Sequence, residues 1–130
     1  MAHPNEAVIR QAYEAFSAGD METLAGVFTE NAVWHVPVRN KLAGDYEGVD
    51  AILGYYANLD EATGGTFRID EIHDVLANDE HVVSMHRGSS RKDGVTHTFN
   101  EVFVFHVSDG KIAEAWEQTS DPYEYDELIG

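Results

Sequence analysis

Cysteine is absent from this 130-residue chain. Its absence excludes disulfides, thiolate catalysis and cysteine-ligated zinc or iron–sulfur sites, and it fits a cytoplasmic setting. Positive charge is scarce: 8 Lys and Arg stand against 24 Asp and Glu, for a formal net charge of −16. A field of that sign repels phosphate backbones and anionic lipid, so neither nucleic acid nor a membrane surface is expected as a partner. The charge serves solubility, and a neutral or cationic ligand is compatible with it. No apolar run approaches the ~18 residues of a membrane span. The opening Met1-Ala2-His3-Pro4-Asn5 has neither the basic region nor the apolar stretch of a secretory signal. There is no glycine-rich phosphate loop, no nucleotide fingerprint, and no His-x-His or His-Glu-x-x-His pattern among the 7 histidines. Neither a metal nor a cofactor is therefore expected. With no internal repeat, low-complexity stretch or linker, residues 1–130 read as one domain large enough for a core and one ligand-sized cavity.

What is present reads as helices followed by strands. Residues 5–17 put Val8, Ile9, Ala12, Tyr13 and Phe16 on one helical stripe, with Pro4 suited to the first turn and Gly19 to the exit. Asp20 can cap a short second helix with Leu24, Val27 and Phe28 inside. Ala32 to Val38 is a β-branched and aromatic run and reads as a strand; residues 39–49 read as a loop. Asp50 then caps a third helix, whose Ile52, Leu53, Tyr56 and Leu59 share a face and which ends at Thr63-Gly64-Gly65. The rest reads as strands over 67–77, 81–90, 95–107 and 111–119, joined by short turns at Asn78-Asp79-Glu80, Lys92-Asp93-Gly94 and Ser108-Asp109-Gly110. Helices first and an antiparallel meander afterwards is an α+β pattern.

Several segments carry a resemblance. They are Ala12-Tyr13-Glu14-Ala15-Phe16 with Ala18-Gly19-Asp20, then Phe28 to Trp34, Gly44-Asp45-Tyr46-Glu47-Gly48, and Asp109-Gly110-Lys111-Ile112 to Trp116. The closing Asp121-Pro122-Tyr123 and Tyr125-Asp126-Glu127-Leu128 complete the set. Together they resemble the nuclear transport factor 2-like superfamily, and within it the SnoaL-like group of polyketide cyclases and relatives of the ketosteroid isomerases. The resemblance implies a cone-shaped half-barrel: three N-terminal helices packed on a curved, mostly antiparallel sheet, with an apolar pocket inside. It also implies a homodimer, commonly formed through the outer face of the sheet. The superfamily holds isomerases, dehydratases, epoxide hydrolases, aldol cyclases and non-catalytic binders, so the fold does not name a reaction.

The resemblance also directs attention to particular residues. Tyr13 falls near the oxyanion-stabilising tyrosine of the steroid isomerases; it is either a hydrogen-bond donor to an enolate or a core aromatic. The general base those enzymes keep on the first strand is replaced here by Val36. Strand alternation puts Trp34 and Val36 on one face and His35 on the other. His86 shares a face with Val82 and Ser84, near the arginine of the epoxide hydrolases. In an apolar cone its imidazole would have a depressed pKa and could act as a neutral base; otherwise it is a hydrogen-bonded rim residue. Glu101 lies among Phe99, Phe103 and Phe105, near the protonated aspartate of the steroid isomerases. Desolvated there, it would have a raised pKa and could serve as acid or base; otherwise it pairs with Arg87 or Arg91. Ile112, Glu114, Trp116 and Gln118 are expected to alternate together, which would put Gln118 where the epoxide hydrolases carry a carboxylate. Asp121 either closes the pocket mouth or caps a turn before Pro122.

The expected catalytic set is therefore His86, Glu101 and Tyr13, and the expected substrate-binding set is Phe16, Trp34, Val36, Tyr56, Phe103, Trp116, Gln118 and Asp121. Two functions follow. The first is a cofactor-free acid–base enzyme of isomerase, cyclase or dehydratase type, acting on a small, largely apolar, carbonyl-bearing molecule. The second is a non-catalytic binding or accessory dimer of the same fold.

Overall fold

The first helix is fixed at both ends by its own sequence. In the computed structural model, which describes residues 3–130, α1 (Pro4–Ala18) begins with His3 as cap, its Nδ1 accepting the Asn5 N–H at 3.1 Å. It ends at Gly19, whose φ of +71° glycine adopts without strain. Asp20 caps α2 (Met21–Gly26) by accepting the Thr23 N–H. The Asn5 amide donates to the Asn78 and Asp79 carbonyls, tying the start of α1 to a turn of the sheet.

Six strands form one curved, open sheet: β1 (Phe28–Val36), β2 (Gly44–Glu47), β3 (Arg68–Ala77), β4 (His81–Lys92), β5 (Val95–Ser108) and β6 (Lys111–Thr119). Their order is β2-β1-β6-β5-β4-β3, with β1 parallel to β6 and every other pair antiparallel. The β4–β5 and β5–β6 turns are Asp93-Gly94 and Asp109-Gly110, all four residues at positive φ, as a two-residue hairpin turn matched to strand twist requires. α3 (Val49–Ala62) and α4 (Pro122–Ile129) join α1 and α2 against the concave face. The result is an α+β cone-shaped half-barrel, its core filled by Ile9, Leu24, Ile52, Phe99 and Ile112.

Three expectations need correction. The first strand starts at Phe28 and stops at Val36. The loop read at 39–49 contains β2, short enough that its pattern is hidden between Gly44 and Gly48. The cap of α3 is Gly48, and Asp50 lies in the first turn, where its charge complements the helix dipole. In the tail, Asp121 takes the capping alternative: it accepts the Glu124 N–H at 3.0 Å, and Pro122 opens α4. This last helix is anchored by Lys92, whose ammonium donates to the Leu128 carbonyl, and by a His97–Glu124 contact at 3.0 Å.

Candidate active site

The concave face gathers polar groups from four elements. β4 and β5 pair without a break from His81–His106 to Lys92–Val95, so alternation holds and Ser84, His86, Glu101, Phe103 and Phe105 all point inward. His86 stands opposite Glu101 in that register, and its Nε2 lies 3.0 Å from Glu101 Oε1. On its other side Nδ1 is 2.7 Å from the Tyr13 hydroxyl, delivered by the inner stripe of α1. The same hydroxyl is 2.7 Å from Ser84 Oγ. A continuous chain Ser84–Tyr13–His86–Glu101 thus runs across the cavity, with His86 2% and Glu101 4% exposed. Burial holds the Tyr13 hydroxyl above the ordinary phenol range, so it remains a protonated donor. Arg87 pairs with Glu71 on the outside, and Arg91 turns back to Gly94; neither reaches Glu101.

The second carboxyl is Glu117, which the sequence did not point to. The β5–β6 register slips between His106 and Val107: His106 faces Glu114 while Val107 faces Ile112, leaving Ala113 as an extra residue. A bulge of this kind reverses alternation beyond it. Ile112 faces inward, but after the bulge Ala115 and Glu117 do so. Glu117 Oε1 accepts the Trp34 indole N–H at 2.6 Å and the Tyr55 hydroxyl at 2.8 Å. Burial raises its carboxyl from the ordinary range to about 8; the Glu101 charge adds to the rise, and the two hydrogen bonds oppose it.

The bulge also corrects two expected substrate-binding residues. Gln118 is exposed and lines the adjoining cleft but not the inner cavity, and Trp116 stacks on His35, ring centroids 5.6 Å apart, on the outer face. Asp121 is the α4 cap. Val36 is buried on the Trp34 face but does not line the cavity, since it sits at the strand end beyond it. Tyr13, Phe16, Trp34, Tyr56, His86, Glu101 and Phe103 all line an inner cavity of about 60 Å³. Trp34 narrows it, its ring 5.6 Å from Phe103 and 5.4 Å from Tyr56. Among the described residues, no Lys or Arg lines it. Glu101, Glu117 and Tyr125 also wall an adjoining cleft of about 300 Å³ that reaches Pro37 and Pro122. Two further wall residues were missed in sequence although signals existed. Tyr55 falls between Ile52 and Leu59 at helical spacing, and Asp121-Pro122 announces the helix that delivers Tyr125. Nothing in the residues of β6 marks the bulge.

Among the described residues, no three His, Asp or Glu side chains come together as metal ligands. His35 faces outward between Asp45 and Glu114. The inner site can therefore hold, orient and exchange protons, with an apolar wall around an acid–base chain.

Comparison with known proteins agrees with this architecture. A family model described as SnoaL-like domain matches residues 9–115. An uncharacterized Mycobacterium tuberculosis protein is 28% identical over 116 residues, 88% of each chain. The solved structure of Bal32a, from a soil-derived mobile gene cassette, is 34% identical, covers 98% of this chain and 97% of its own, and superposes with a TM-score of 0.91. A Sinorhizobium meliloti protein, named provisionally as a polyketide cyclase, shares the fold at 21% identity and a TM-score of 0.69, covering 86% of this chain and 94% of its own.

Proposed function

The chain belongs to the SnoaL-like family, within the nuclear transport factor 2-like superfamily, and from that premise we propose that it is a cofactor-free acid–base enzyme acting on a small, largely apolar, carbonyl-bearing molecule. The reaction is an isomerisation, aldol cyclisation or dehydration, each beginning with removal of a proton next to a carbonyl. The observation that carries this reading is the buried Tyr13–His86–Glu101 chain. Both His86 nitrogens are engaged, whereas Glu101 binds His86 through Oε1 and leaves Oε2 without a partner among the described residues. Glu101 is therefore the base, and His86 is the positioning residue that holds it. Tyr13 supports the enolate by turning its hydroxyl from His86 to the ligand oxygen, a donor aimed where charge develops.

Native mass spectrometry of the purified protein identifies a co-purified ligand, and turnover of that compound is then measured. Joint replacement of His86 and Glu101 by leucine and glutamine should abolish turnover; unchanged turnover would falsify the assignment. The small inner cavity favours one second reading, a dimer that only sequesters its ligand, in which the same variant would still bind and the wild type would show no turnover. In either reading the chain works as a homodimer through the outer sheet face, where Val102 and Trp116 offer apolar surface. Light scattering on a size-exclusion column checks this.

A further inference from the structure

Glu117 has a role that the Ser84–Tyr13–His86–Glu101 chain does not use. Its two protein donors, the Trp34 indole and the Tyr55 hydroxyl, both reach Oε1. Two donors occupy the lone pairs of that one oxygen, so a proton on this carboxyl belongs on Oε2. Oε2 has no partner among the described residues and is not sealed from the surrounding space, and Glu117 lines both the inner cavity and the adjoining cleft. Glu101, on the neighbouring strand, projects from the same face: Phe103 is opposite Glu117 and Glu101 lies two residues along.

Resting on the reading of this cavity as the ligand site, we propose that Glu117 determines specificity: it stands as a neutral carboxylic acid whose Oε2–H is given to the oxygen of an uncharged ligand, and it makes the site one for neutral ketones and hydroxyketones that turns away carboxylates. Burial first and the Glu101 charge second favour the neutral form, against the two hydrogen bonds from Tyr55 and Trp34, and the titratable groups facing Glu117 come from six elements. β5 contributes Glu101 and β4 His86; α1, α3, α4 and β2 contribute the phenols of Tyr13, Tyr55, Tyr56, Tyr125 and Tyr46. Among the described residues, no Lys or Arg lines the cavity or the cleft to compensate a second negative charge. An uncharged oxygen arriving there completes the hydrogen bonding of Oε2. A carboxylate ligand would sit beside Glu101 with no cation to pair with and would be desolvated at a cost nothing repays.

The test needs no turnover. Protein carrying 13C at the glutamate carboxyls is titrated by NMR, with Glu117→Gln identifying the Glu117 resonance. That resonance should titrate near the value of about 8; titration in the ordinary carboxylate range overturns the proposal. Acetophenone and benzoate then serve as probes for calorimetry about two pH units below and above 8. Acetophenone should bind about five- to tenfold more weakly at the higher pH, because one hydrogen bond is lost. Glu117→Gln, whose amide places an N–H where Oε2–H stood while its carbonyl keeps both donors, should remove that pH dependence and keep the affinity. Glu117→Leu should bind weakly throughout, and benzoate should not bind the wild type. Failure of acetophenone to bind at the lower pH, equal acetophenone binding at both, or benzoate binding as well as acetophenone overturns the proposal. The reading of the chain as an enzyme fails separately, if turnover survives loss of His86 and Glu101 while these titrations behave as stated.

Discussion

His86 and His35 have the same side chain on opposite faces of the sheet, and each has both ring nitrogens engaged. The partners differ. His35 lies between two carboxylates, Asp45 at 2.6 Å and Glu114, and carboxylates only accept. Both bonds exist only when both nitrogens carry protons, so the outer site fixes a charge. Accordingly Asp45 first, and Glu114 second, hold the His35 pKa above its ordinary value, against a smaller effect of burial. His86 has one carboxylate and one hydroxyl, and the hydroxyl can donate or accept. The imidazole can gain or lose a proton there without breaking either bond. The outer arrangement is a clamp joining β2, β1 and β6; the inner one can pass a proton along a chain. The residue types alone do not distinguish them; the identity of the second partner does.

The same contrast holds for the two tryptophans, and it gives the largest expected effect. Trp34 packs against Phe28, Tyr56, Phe103 and Phe105 and donates to Glu117. Trp34→Ala should cost roughly 3–5 kcal/mol in urea denaturation. Trp116 is half-buried and stacks on His35, so Trp116→Ala should cost about 1–2 kcal/mol in a monomeric preparation. Equal costs would mean that the outer face is covered as fully as the inner one.

Glu117 comes next. Its carboxyl keeps its proton up to about 8 in the folded chain, against an ordinary value of 4.5. Between these values the folded state binds more protons than the unfolded one, so stability falls as pH rises. The slope approaches ~1.4 kcal/mol per pH unit for one fully shifted group. Glu117→Gln should remove that slope and leave the acid side below 4.5 unchanged. A wild-type and a variant curve that stay parallel from acid to alkaline pH would contradict the assigned buried position.

Why Glu117 escaped notice in sequence while Glu101 did not is a matter of register. β4 and β5 pair evenly over their length, so Val82, Ser84 and His86, and Phe99, Glu101, Phe103 and Phe105, could be placed by period two. The turn residues Asp93-Gly94 and Asp109-Gly110 marked both hairpins. What alternation lacked was which face is concave, since both faces of β5 carry apolar residues; the helices packed on one side decide that. In β6 a single extra residue, Ala113, inverts the outcome for everything after it. Lys111 to Thr119 contains no glycine, proline or asparagine to announce the slip, so period two alone puts Trp116 and Gln118 inward and Glu117 outward. The cap at Asp121 was legible, and reading it as a helix start would have supplied Tyr125.

A pair of matched truncations sharpens the inner–outer contrast further. Glu101→Ala leaves a buried His86 nitrogen without its partner, at roughly 1–3 kcal/mol. Glu114→Ala removes one of two acceptors from His35 at a site where Glu114 itself is 38% exposed, and should cost under about 1 kcal/mol. Thermal denaturation at neutral pH of the two variants side by side checks the order, and a reversed order would put the more tightly coupled histidine outside.

The smallest effect tests the outer clamp alone. The folded-state pKa of His35 is raised, so the folded chain holds that proton more tightly than the unfolded chain does. The stability it contributes is fully present below the ordinary histidine value of 6.5 and is lost as pH rises through the folded-state value. Asp45 is 65% exposed, so water and salt screen the pair and the contribution stays within about 1 kcal/mol. His35→Gln should therefore lower stability measurably at pH near 6, match the wild type at alkaline pH, and show little difference at ~1 M salt, where the screening length is ~3 Å. The inner pair should respond far less to that salt, because His86 and Glu101 are only 2% and 4% exposed. If salt erased the cost of Glu101→Ala as readily as that of His35→Gln, solvent would reach both faces and the proton chain at His86 would lose the seclusion on which its chemistry depends.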